Sequence, residues 1–211
     1  MIDVNEDINA VARTVGSRTL AAGEARVLTV SRSYRTDLDD LWDACTNIER
    51  IPRWFLPITG ELKVGGHYQF EGNAHGTIER CDPPTGFSAT WEYGGEVSWI
   101  EVRLSAQSDG STRFVLEHVA SVDDERWAEF GPGAVGVGWE LGLLGLSQYL
   151  EAGADAIAGP EAGMVWAGSE DGKRFMALSS AAWGTASIAA GTDEAAARAA
   201  AERTTAFYTG A

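Results

Sequence analysis

Basic residues are scarce in this chain. Its 211 residues hold 16 Lys and Arg against 31 Asp and Glu, a formal charge of −15. Phosphate backbones and anionic lipid surfaces recruit basic proteins, so this balance argues against nucleic acid or an anionic membrane as a partner. Long apolar runs are also missing. None approaches the roughly 18 residues that a membrane span requires, so no membrane insertion is expected. The first residues, Met1 to Asp7, are acidic and lack the basic-then-apolar pattern of a secretion signal, which reads as a cytoplasmic protein. The two cysteines, Cys45 and Cys81, form no CxxC pattern and read as reduced, structural thiols. No Ser-His-Asp order, phosphate-cradling loop or dinucleotide fingerprint occurs, and no cofactor is implied. That weakens an enzymatic reading without removing it.

What is present is a change of period along the chain. Residues 1–23 form a polar lead-in whose Val11, Val15 and Leu20 suit either a short strand or a short helix. Ala25 to Tyr34 alternates as a strand, with Leu28, Val30, Arg32 and Tyr34 on one face. Thr36 or Asp37 then caps a helix whose stripe is Leu38, Leu41, Trp42 and Cys45, and a second short helix is expected over Ile48 to Arg50. From Ile58 to Ala120 the period is close to two, and Gly65-Gly66, Gly72-Asn73, Asp82 to Gly86, Gly94-Gly95 and Asp109-Gly110 mark turns. The pattern predicts a six-stranded antiparallel meander. Gly131 to Glu151 returns to helical spacing and is apolar around most of its circumference, so it is expected to be buried; its glycines are expected to mark close approach of other backbone. Residues 153–172 read as a linker. Lys173–Ala190 and Thr192–Tyr208 read as an Ala-rich helical pair that must dock on the main domain, residues 24–152, or on a second copy of the chain, so a homodimer is one expectation.

This order of elements and several local motifs resemble the START-like superfamily called SRPBCC, and within it proteins similar to the activator of the heat-shock-protein-90 ATPase. The resemblance is carried by Tyr34-Arg35-Thr36 with Leu41-Trp42, Arg50-Ile51-Pro52-Arg53-Trp54-Phe55, Leu62 to Gly66, Asp82-Pro83-Pro84, Thr90-Trp91-Glu92 and Thr112 to His118. It covers roughly residues 25–150. It implies an α+β helix-grip fold: a seven-stranded curved antiparallel sheet around a long helix, here with a C-terminal helical extension. It is specific for fold rather than activity, since the superfamily holds lipid carriers, polyketide cyclases, self-resistance proteins and co-chaperone domains.

Parity assigns the inward face. Tyr68, Phe70, Ile78, Phe87, Trp91, Ile100, Val102, Leu104, Phe114, Leu116 and His118 point toward the long helix, joined by Trp42, Trp54, Phe55, Trp139 and Leu143. An apolar, aromatic-lined space of this kind suits a hydrophobic small molecule, aromatic or polyketide-like, and the same residues otherwise just fill a core. His118 is the polar member, a candidate base for a cyclase- or hydrolase-type reaction or else a hydrogen-bonded core histidine. The third functional reading is a co-chaperone-like interaction module. His67, His75 and Glu71 flank one turn, but parity turns both histidines outward, so no metal site is expected. Trp99 shares the outward parity of Glu101, and the C-terminal helices, through Trp183, or else a dimer interface, are its expected cover.

Overall fold

The computed structural model describes residues 3–21, 23–152 and 160–211. One antiparallel sheet of eight strands dominates it: β1 (Ala12–Leu20), β2 (Gly23–Tyr34), β3 (Ile58–Gly60), β4 (His67–Phe70), β5 (His75–Asp82), β6 (Gly86–Tyr93), β7 (Glu96–Ala106) and β8 (Thr112–Ser121), in the order β1-β2-β8-β7-β6-β5-β4-β3. Strands β3 to β8 are the expected meander. The sheet has one strand more than expected because the lead-in contributes β1, which pairs with β2 along its whole length. Its polar, half-exposed residues carry little alternating signal, and edge pairing to a twelve-residue strand supplies what the side chains do not.

Helix α1 (Val4–Asn9) precedes β1, and α2 (Leu38–Thr46), capped by the Asp37 carboxylate, follows β2. The short helix expected over 48–50 lies one turn later, as a 3-10 turn at Ile51–Arg53 with Pro52 in its first turn. After the sheet come α3 (Asp124–Phe130), the long α4 (Gly133–Ala152), α5 (Pro160–Ala167), α6 (Glu170–Ala189) and α7 (Glu194–Thr209). The linker reading over 153–172 thus meets α5 and the start of α6, while 153–159 lie outside the described residues. Gly191, at a φ of 100°, breaks the C-terminal pair at the expected place, and Asp193 caps α7. Gly94 and Gly95, both at positive φ, close the β6–β7 hairpin.

Helix α4 crosses the inner face of the sheet. Val137, Leu143 and Leu146 pack against Leu28, Val30, Val102, Leu104, Phe114 and Leu116 in one core. Its glycines admit side chains more often than backbone. A Cβ on Gly136 would stand 2.2 Å from the Trp183 indole, one on Gly142 3.2 Å from the Phe55 ring, and only one on Gly145 would meet backbone, 2.4 Å from the Trp54 carbonyl oxygen. Trp183 is therefore buried against α4, on the inner side. Trp99 lies on the outer side with Leu20, Ala25, Val27 and Val119, so β1 and its neighbours cover it and the expected Trp99–Trp183 contact does not form. The missing side chain at Gly136 leaves the space that the Trp183 indole occupies. Gly136→Ala is expected to lower stability by about 1–3 kcal/mol in urea titration, because a fully buried indole has nowhere to retreat; a stabilised variant would contradict this packing.

The lead-in is pinned by two buried ion pairs. Arg13 grips Glu140 of α4 through two bonds of 2.6 Å, and Arg32 reaches Asp7 at 2.8 Å and the Ser147 hydroxyl at 2.7 Å. The outer face instead carries a solvated charge ladder, Arg18–Glu117–Arg103–Glu101–Arg80. Burial opposes ionisation of Glu117, but Arg103 and Arg18 outweigh it and hold its pKa below the ordinary value.

Candidate functional site

Between the sheet and α4, on the side of β3 to β7, α4 does not fill the concave face. A cavity of about 340 Å³ remains. Tyr68, Phe70, Ile78, Phe87, Trp91, Ile100, Val102, Phe114 and Leu116 come to it from the sheet, Trp42 from α2, Trp54 and Phe55 from the 3-10 turn and the segment after it, and Trp139 and Leu143 from α4. Leu104, inward by parity, packs in the core beyond the cavity.

The aromatic rings support one another. Trp91 and Trp139 have centroids 4.8 Å apart, Phe55 lies nearly parallel to Trp139 at 6.4 Å, and Phe70 meets Phe55 edge-on at 5.0 Å. Trp54 is fixed from behind, its indole N–H donating to the Ala44 carbonyl at 2.9 Å. The segment holding Trp54 and Phe55 is anchored just upstream by Arg50, which donates to the Asp40 and Asp43 carboxylates and to the Tyr149 hydroxyl of α4.

His118 is not among the lining residues. It stands behind Trp139, buried, and both ring nitrogens are engaged. The Trp139 indole N–H donates to Nδ1 at 3.0 Å, and Nε2 lies 2.9 Å from the Ser98 hydroxyl. Since an indole can only donate, Nδ1 accepts and Nε2 carries the proton. Nε2–H then donates to Ser98, whose hydroxyl donates to the Trp91 carbonyl at 2.9 Å. Burial lowers the histidine pKa to about 4, which keeps the ring neutral. The chain Trp139–His118–Ser98–Trp91 ties together two of the tryptophans of the wall, and it leaves His118 no free nitrogen to offer a substrate. His67 and His75 are exposed, His67 beside the Thr77 hydroxyl and His75 beside Glu92. Among the described residues no group of three or more His, Cys, Asp or Glu is placed to hold a metal.

Several lining residues escaped the sequence reading: Val30, Ile51, Ile58, Leu62, Ala89, and both cysteines. Cys81 is the instructive one. Strict alternation from Ile78 would aim Arg80 inward. An extra residue between Ile78 and Arg80 in the β5–β6 register inverts the parity, so Cys81 pairs with Phe87 and lines the cavity while Arg80 joins the outer ladder. Cys45 lies deeper, and burial pushes its thiol pKa up to about 12 despite Arg50.

Residues 35–151, from the end of β2 to the end of α4, match the family model described as activator of Hsp90 ATPase homolog 1-like protein. The chain belongs to that family. The match contains α2, the meander and α4, which supply most of the cavity lining. The chain is also similar to CalU16 from Micromonospora echinospora. The crystal structure of that protein is 34% identical, with 84% of this chain and 98% of that chain covered and a TM-score of 0.67. Its solution structure gives a TM-score of 0.70 over 86% and 97%. MLL2253 from Mesorhizobium loti, 22% identical, shares the fold at a TM-score of 0.54, over 62% of this chain and 100% of that one. No curated protein matches. Helices α5 to α7 lie beyond the residues that the family model matches. Among the described residues no helix is long and apolar enough to cross a membrane.

Proposed function

We propose that this protein binds a hydrophobic aromatic small molecule in the cavity between its sheet and α4. The observation that carries this reading is the wall itself: four tryptophans and four phenylalanines around about 340 Å³ of space, where an ordinary core would be filled. That size lies within the roughly 300–1,000 Å³ of ligand pockets. A reaction using the same cavity is less well supported, because His118 is fully hydrogen-bonded behind the wall and the buried Cys45 stays a protonated thiol.

Titration with a panel of neutral aromatic and polyketide-like compounds, followed by tryptophan fluorescence, is expected to give a saturable one-to-one response. Ala89 is buried in the sheet wall, and a larger side chain there occupies the cavity. Ala89→Phe is expected to weaken that response at least tenfold while the thermal midpoint stays level or rises. An unsaturable response from every compound, or a variant that binds as tightly as the parent, would refute the reading.

A further inference from the structure

Resting on that reading, we infer that the cavity selects electrically neutral aromatic compounds and excludes anionic ones, fatty acids included. Among the described residues, none that lines it is an Asp, Glu, Lys, Arg or His. The wall does contain hydrogen-bonding groups, and four of them are turned to the protein. The Thr46 hydroxyl donates to the Trp42 carbonyl at 2.8 Å and the Tyr68 hydroxyl to the Thr90 carbonyl at 2.6 Å. The Trp54 and Trp139 indoles donate to Ala44 and His118. A carboxylate or sulfonate entering here leaves water and meets no cation among the described lining residues; four donors are already spent on the protein, and the neutral indoles of Trp42 and Trp91 cannot balance its charge. Burying an ion without a partner is far costlier than burying a neutral ring. Burying the anion would call for a cation on the wall, and Arg50, next to the lining Ile51, is already bonded to Asp40 and Asp43. The formal charge of −15 adds long-range repulsion of the same sign, so the two contributions must be separated by salt.

The test uses the full chain and two fluorescent probes that differ by one group, N-phenyl-1-naphthylamine and its sulfonate, 8-anilinonaphthalene-1-sulfonate. Both are titrated at low salt and in about 1 M sodium chloride, where the screening length is roughly 3 Å and surface repulsion is removed. The neutral probe is expected to bind saturably, one per chain, and at least tenfold more tightly than the sulfonate in both buffers. Ala89→Phe is expected to abolish most of that binding, which places the probe in the cavity, and laurate is expected not to displace it. A sulfonate that binds within threefold of the neutral probe at high salt, or displacement by laurate, overturns the selectivity while leaving the cavity reading intact. Failure of the neutral probe and of the wider panel to bind, or binding indifferent to Ala89→Phe, overturns both.

Discussion

Glu140→Ala is expected to lower the unfolding free energy by about 3–5 kcal/mol. Glu140 sits in the apolar first half of α4, with its side chain fully buried, and Arg13 of β1 is nearly so, at 8% exposed. The two bonds of 2.6 Å between them are the charge compensation that makes both tolerable there. Removing the carboxylate strands a guanidinium whose remaining partners are the carbonyls of Val11 and Ile8. The loss should exceed that of replacing both residues by apolar ones of similar size, since breaking a buried pair costs more than deleting it. Urea titration of Glu140→Ala beside the double variant Arg13→Met, Glu140→Leu measures both. A single variant within about 1 kcal/mol of the parent would mean that the pair is solvated after all.

The second large effect is on acid stability. Folded His118 titrates near 4, against 6.5 for an unperturbed histidine, and the cause is burial. Its hydrogen-bond partners Ser98 and Trp139 and its cross-strand neighbours Leu28 and Ile100 do not titrate. Between these two values the unfolded chain holds the additional proton, so stability rises with pH across the window. The contribution is fully present above about 6.5 and is lost as the pH falls toward 4, amounting to about 3 kcal/mol in all. The carboxylates titrate nearby, so the measurement is the difference between the parent and His118→Gln, whose side-chain oxygen can still accept from Trp139. The parent should lose more stability than the variant between pH 7 and 4. Parallel profiles would show that His118 is not a buried neutral ring. The Trp139 wall should loosen only as the pH falls through about 4, where the folded ring takes up its proton and Nδ1 can no longer accept the indole N–H.

These two residues also mark how far the amino-acid pattern could be read. The inward set was legible because alternation in β4, β6, β7 and β8 is a local property of a pleated strand: Tyr68 and Phe70, then Phe87 and Trp91, share a face whatever the rest of the chain does. Even so, parity counts positions and not depth. It placed His118 on the correct face but could not see that Trp139 from α4 would lie between it and the cavity. Glu140 had a visible signal, an acid inside the apolar stretch of α4, and its partner lay 127 residues away in a segment with almost no pattern of its own.

The order and type of the central elements, the inner and outer faces of the meander, and the aromatic character of the space beneath it follow from the sequence by itself, since each depends on spacing within a few residues. Tertiary structure alone decided that the lead-in becomes an eighth strand, that a bulge turns Cys81 inward in place of Arg80, that Trp183 takes the slot over Gly136, and that His118 serves the wall from behind. Each of these depends on which distant groups compete for the same space or the same proton, and no local period records that.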